Sequence, residues 1–153
     1  MCADNLYFDA QYIFGDIMTF DNIKKDLLLL GTGGIAYAGI ELLWRQRTHW
    51  SMVLTGGVCF LSLYKLYNRH PRLSVPEKCL FGSLVITGIE FMVGCFVNLK
   101  MGWKVWDYSS MPFNLRGQIC LLYSMLWGGL CIPLSFVCKR MDRLFSRYKA
   151  IQK

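Results

Sequence analysis

Glu90 is the residue of this sequence most clearly placed to do chemistry. It is the twelfth residue of an apolar run, residues 79–99, that is 21 residues long. A run of that length can cross a bilayer, which puts Glu90 close to the midplane. A carboxylate there is costly if ionised and unpaired, so it must face the bundle interior, be protonated, or pair. It can therefore be a polar site on a substrate or ion path, or a proton-linked group. It can equally be a structural carboxyl hydrogen-bonded across helices, or one that caps a broken helix. Asn98, Arg116 and Gln118 are its candidate partners, and the sequence does not choose among them.

Glu41 is a second acid inside an apolar run. It lies three residues before Trp44, near an interface, where water, Arg45 or Arg47 can take up its charge; that position favours a structural role. The segment after residue 100 carries Trp103, Trp106, Tyr108 and Phe113 within a dozen residues. An interfacial aromatic belt has this composition. Asp107, Asn114 and Gln118, with Ser109, Ser110 and Pro112, make it more polar than a belt requires. Such a loop can dip into the bundle or lid a cavity, provided protein or water satisfies its backbone. Glu41, Glu90, Trp106, Asp107, Tyr108, Asn114 and Gln118 are the candidate substrate-binding or transport residues.

Other chemistries are excluded. Gly31-Thr32-Gly33-Gly34 lacks the Lys-Ser/Thr of a phosphate-binding loop. There is no H-E-x-x-H, no C-x-x-C and no Cys/His spacing for a metal. His49 and His70 stand alone in loops, and no positioned base accompanies the Ser and Asp residues. The expectation is a protein that is not an enzyme and carries no cofactor. The seven cysteines fall mostly in apolar runs, where Cys behaves as a small hydrophobe.

Four apolar runs position these residues: 27–44, 51–67, 79–99 and 118–138. The first, at 18 residues, spans about 27 Å as a helix, just enough to cross. Its leading Lys24-Lys25 and its Ala36-Tyr37-Ala38 mimic a signal peptide, but apolar character continues to Trp44. Gly34 and Ala38, like Ser124 and Gly128, form small-xxx-small pairs that let helices approach closely. The loop 68–78, with two prolines, is a firm break, and Pro133 predicts a kink in the fourth run. Residues 1–23 alternate aromatic or aliphatic residues with acids, as an interfacial helix or a partly ordered leader. Residues 139–153 form a basic, amphipathic tail.

The chain has 153 residues, 54% hydrophobic and 18% charged, with a formal net charge of +7. The charges cluster between apolar runs, so lipid contact and topology explain them better than nucleic acid does. With four spans, both termini share one side. Of the 17 Lys and Arg residues, twelve fall on that side and five on the other, which predicts cytoplasmic termini and an outward-facing aromatic loop.

The halves also resemble each other. Gly39-Ile40-Glu41 matches Gly88-Ile89-Glu90, and Ser51-Met52 through Cys59 parallels Ser124-Met125 through Cys131. Duplication of a helical hairpin gives parallel repeats, an arrangement found among secondary transporters.

The stretch VWDYSSMPFNLRGQICL at residues 105–121, with Trp127 and the two Gly-Ile-Glu motifs, resembles the putative ABC-transporter permease family (type IV, CmpB-like). The resemblance covers roughly residues 27–138. It implies a multi-pass protein of the bacterial inner membrane with no ATPase of its own, and so a separate ATPase as a partner. It gives prominence to Glu90, Trp106, Asp107, Tyr108, Pro112, Asn114, Gly117 and Gln118 but supplies no mechanism. The expected fold is an all-α polytopic bundle of four transmembrane helices, built as two related hairpins in the lipid bilayer. The expected function is a transporter permease component, acting as a homo-oligomer or with a partner membrane subunit. The alternative is a non-transport membrane protein that binds or regulates a partner protein or lipid.

Overall fold

The computed structural model describes residues 20–151. Most of the leader, residues 1–19, lies outside the described residues. Four long helices follow one another: α1 (Phe20–Arg45), α2 (Trp50–Arg69), α3 (Val75–Gly94) and α4 (Leu121–Ile151). A six-residue π-helical turn, Cys95–Lys100, extends α3. A two-stranded antiparallel ribbon, β1 (Asn114–Leu115) and β2 (Ile119–Cys120), precedes α4.

Three segments are long and apolar enough to cross a membrane: Asn22–Arg45, Val75–Lys100 and Leu121–Tyr148. The 20-residue helix α2 is not among them on composition. It is also the enclosed helix, burying Ser51, Thr55, Phe60, Leu63, Tyr64 and Tyr67. A helix packed by protein on several sides need not match the apolarity of lipid-facing ones. The outward faces of the others carry exposed Leu28, Ile35 and Leu43 on α1, Leu84 and Met92 on α3, and Phe136 on α4. Contiguous apolar surface of this kind belongs in hydrocarbon.

Helix α2 runs back along α1 through small residues. A Cβ at Gly34 would fall 2.6 Å from the Val53 carbonyl oxygen, and one at Gly57 would fall 2.5 Å from that of Leu30. Gly34→Leu should therefore drive α1 and α2 apart at a cost of about 1–3 kcal/mol or more. Gly39→Leu, where nothing lies within 4 Å, is the matched control. Thermal unfolding in detergent should show a lower Tm for the first alone. Equal melting of both variants would mean the close approach is not what holds the pair. Ser124 and Gly128 are also used inside the chain: the Ser83 and Thr87 hydroxyls donate to Ser124, and Gly128 faces Ser83 and Cys79 of α3.

Several boundaries differ from the sequence pattern: α1 starts at Phe20 rather than 27, α3 at Val75 rather than 79, and both ends of the fourth helix shift. The fourth helix starts at Leu121 rather than 118. Arg116 and Gly117 have φ of 52° and 67°, and Gln118 N–H donates to Leu115 O at 3.0 Å. Positive φ at both central positions is the type I′ pattern that closes a hairpin, so residues 118–120 join the ribbon. At the other end α4 continues unbroken past Pro133 and through the basic segment to Ile151. That extension is docked: Asp142 accepts from Tyr64 at 2.7 Å and Asn68 at 3.2 Å, and Phe145 packs on Tyr64 beside Lys25. The core comprises Leu29, Phe60, Leu63, Tyr64, Tyr67 and Ile86, with Cys59, Cys131 and Cys138 filling it as small apolar side chains. Helix α3 is started by a capping box in which Ser74 N–H donates to Glu77 at 2.7 Å, with Pro76 in the first turn.

Candidate functional site

Glu90 faces inward from α3 and is only 3% exposed. Its Oε2 accepts a hydrogen bond from Trp127 Nε1 on α4 at 2.7 Å. A buried indole N–H needs such an acceptor, because it can only donate. Oε1 has no partner among the described residues, and no side-chain polar atom there is both sealed off and unpaired. That oxygen therefore borders open space. The space is a cavity of about 160 Å³ to which all four helices contribute, through Tyr37, Phe60, Ile86, Glu90, Trp127 and Leu134 among others. Its walls are mostly hydrocarbon, so Glu90 supplies the charge-bearing group.

The candidate partners Asn98, Arg116 and Gln118 do not reach Glu90. The π-helical turn carries Asn98 to the base of the loop that precedes α4. There its Nδ2 donates to Trp106 O at 3.0 Å and Gln118 Oε1 at 2.8 Å, while its Oδ1 accepts from Val105 N–H at 2.7 Å. Trp106, 4% exposed, donates through Nε1 to Gln118 O at 2.9 Å. Gln118, 3% exposed, donates to Arg116 O at 2.9 Å. Asn114 donates to the carbonyls of Ser109 and Met111 and accepts from Gly117 N–H at 3.0 Å. Trp106, Asn114 and Gln118 are thus brought together as the hydrogen-bonded interior of a compact cap.

Asp107 is exposed on the rim. Its Oδ1 accepts from Ser109 N–H at 2.8 Å and from the Ser109 hydroxyl. Those hydrogen bonds hold its carboxyl below the ordinary range, with Lys104 adding to the effect. Tyr108 is half-buried and stacks on Tyr123 of α4 with ring centroids 4.6 Å apart. Burial raises its phenol above the ordinary value, and Glu90 adds to the shift. Tyr123 in turn lies 6.4 Å from Trp127, and Trp127 6.0 Å from Tyr37. Rings therefore run continuously from the cap to the Glu90 cavity.

Glu41 sits apart from that line. Arg45 Nη1 donates to its Oε1 at 2.8 Å and the Thr48 hydroxyl to its Oε2 at 2.6 Å. Arg45 also donates through Nη2 to Val105 O at 2.9 Å, fastening the end of α1 to the cap. Of the two glutamates in Gly-Ile-Glu motifs, one is fully engaged and the other is left half-satisfied. Sequence reasoning did not connect Trp127 to Glu90. The available signal was a donor-only side chain inside an apolar run opposite a lone acceptor. Nor did it find Asn98 as the anchor of the cap, because a π-helical turn has no composition of its own.

Helices with lipid-facing exteriors, an internal carboxylate and a folded polar cap define a polytopic membrane protein. A sequence model of the family described as "Putative ABC-transporter type IV" matches residues 34–152, and the chain belongs to that family. Comparison with curated proteins and with solved structures gave no match in either case.

Proposed function

We propose that the protein is the membrane-spanning permease component of an ABC-type transporter, that it works with a separate ATPase, and that cargo contacts the Glu90 cavity. The observation that carries this reading is the half-satisfied carboxylate. Evolution of a purely structural tie would favour filling both oxygens or replacing the group by hydrocarbon, since well-packed apolar residues commonly match a buried polar group in stability. An acceptor left facing a cavity is instead ready for a ligand's donor or cation. Tyr37, whose hydroxyl has no hydrogen-bond partner among the described residues, lines the same space.

In this reading all four helices span the bilayer as two hairpins, with α2 shielded by the rest. The Gly-Ile-Glu pair descends from a duplicated hairpin, the second copy having kept the site while Glu41 became a fastening for the cap. The twelve basic residues that share the side of the termini, four of them around the 68–78 loop, support a reading in which both ends lie in the cytoplasm of a bacterial cell. A cavity of about 160 Å³ is small for a complete translocation path, which favours a second copy or a partner subunit. Because Gly34, Ser124 and Gly128 are used within the chain, that contact would use the lipid-facing sides of α1, α3 or α4.

Affinity purification from native membranes in mild detergent tests the assignment. The expected result is a complex containing an ATP-hydrolysing subunit in fixed stoichiometry, with ATPase activity altered by Glu90→Gln. Recovery of a homo-oligomer without ATPase, under conditions that preserve a known transporter complex from the same membranes, would overturn it.

A further inference from the structure

A second pocket lies where the α1–α2 connection meets residues 103–105, away from Glu90. It has a volume of about 190 Å³ and is lined by Glu41, Arg45, Arg47, Thr48, His49, Trp103, Lys104 and Val105. Among the described residues, five basic side chains fall at this end of the molecule: Arg45, Arg47, Lys100, Lys104 and Arg116. Three of those five line the one pocket. Topology does not account for this clustering, since basic residues there oppose the charge bias of the other end.

The charges around the pocket do not cancel. Glu41 is neutralised by Arg45 at 2.8 Å. Asp107, which Lys104 attracts, keeps its negative charge while it accepts from Ser109, and it is not among the residues that line the pocket. Arg45, Arg47 and Lys104 set against Glu41 and Asp107 still leave a cation in excess. Arg47 and Lys104 make no hydrogen bond or ion pair to any described residue. His49 accepts from Ser51 N–H through Nδ1, which leaves its Nε2 available to donate. The backbone also adopts a costly conformation on both sides. Gln46, between Arg45 and Arg47, has φ of 55°, and Lys104 itself has φ of 49°. Left-handed backbone at non-glycine residues carries strain and gathers at functional sites. Here it lets two separate segments present cations to one space. Arg45 is pre-positioned by its bonds to Glu41 and Val105 O. Trp103 closes a side, edge-on to His49 at 5.4 Å and to Trp50 at 5.5 Å.

From this arrangement we propose that the pocket binds a phosphate oxyanion, held by Arg47 and Lys104 with the guanidinium of Arg45 and the His49 ring beside it. Arg presents a planar fork suited to phosphate, and Lys contributes a point charge. Indole rings at this level suit a ligand anchored at the membrane interface. The phosphate can arrive as a phospholipid headgroup or as a soluble phosphate, and the pocket chemistry is shared. The proposal stands independently of the Glu90 reading.

The test uses the full chain in detergent. Native mass spectrometry compares retention of dioleoyl phosphatidylglycerol with that of dioleoylglycerol, which has the same chains and no phosphate. Calorimetry measures inorganic phosphate against chloride at matched ionic strength. The variant is Arg47→Gln with Lys104→Gln, two exposed side chains whose loss should leave Tm unchanged. The expected result is phosphate-dependent binding by the wild type that falls at least tenfold in the double variant. Binding of phosphatidylglycerol alone identifies a headgroup site, and binding of inorganic phosphate identifies a soluble anion; either supports the pocket. Absence of both in the wild type, or undiminished binding by a folded double variant, overturns it.

Discussion

Asn98→Ala should loosen the polar cap while leaving the helices folded. The side chain donates two hydrogen bonds and accepts a third, all in a region where Asn98, Trp106 and Gln118 are nearly inaccessible. Alanine leaves Trp106 O, Gln118 Oε1 and Val105 N–H without that partner. Each buried group so orphaned costs about 1–3 kcal/mol, less whatever water recovers, for a net loss of roughly 2–4 kcal/mol. Asn98→Asp should do no better. It keeps an acceptor for Val105 N–H but turns a carboxylate oxygen towards two other oxygens. The cap contains trypsin sites after Lys104 and Arg116, so limited proteolysis reads its opening directly. When closing outpaces cleavage the rate follows the open population, and each 1.4 kcal/mol is tenfold. Cleavage in the cap should accelerate roughly 30-fold or more, while far-UV helicity stays at the wild-type level. Cleavage no faster than in the wild type would show that the Asn98 hydrogen bonds do not secure the cap.

The same residue shows where the sequence could and could not be read. The helices were legible because each comes from a long apolar run bounded by charges, glycine or proline. Their family was legible from the polar stretch at residues 105–121. The positions of the polar side chains were not. Asn98 stands two helical turns from Glu90, which made it a candidate partner by spacing. A wider turn at Cys95–Lys100 and two left-handed residues at Arg116 and Gly117 redirect both Asn98 and Gln118 into the cap. These backbone states depend on tertiary hydrogen bonds rather than on local composition. Arginine at a left-handed position is held there by the ribbon register, in which Asn114 pairs with Cys120 and Leu115 with Ile119. The basic tail was legible as amphipathic, but its continuity with α4 depends on Phe145 and Asp142 finding Tyr64 across 78 residues or more of sequence.

The two ends of Glu90 make it the most informative position to change. Oε2 is a structural atom because it satisfies Trp127; Oε1 has no partner among the described residues, and Glu90 lines the cavity. Glu90→Gln preserves size and can still present an oxygen to the indole N–H, so the bundle should melt close to the wild type. Glu90→Leu leaves Trp127 Nε1 without its acceptor and should cost about 1–3 kcal/mol. A role that is only structural therefore predicts that Gln behaves as wild type in every assay and Leu does not. A cargo site predicts a different split: both variants lose nucleotide-driven activity of the assembled complex, although only one is destabilised. Chemical modification supplies a readout that needs no known cargo. A hydrophobic carbodiimide dissolved in the bilayer can add to a carboxyl that borders an apolar cavity, whereas a water-soluble carbodiimide should be excluded from it. Peptide mass spectrometry should find the adduct on Glu90 with the first reagent, and no adduct at position 90 in Glu90→Gln. Glu41, with both oxygens engaged by Arg45 and Thr48, should react far more slowly. Equal labelling of Glu41 and Glu90, or full activity in Glu90→Gln, would reduce the carboxylate to a tie between α3 and α4.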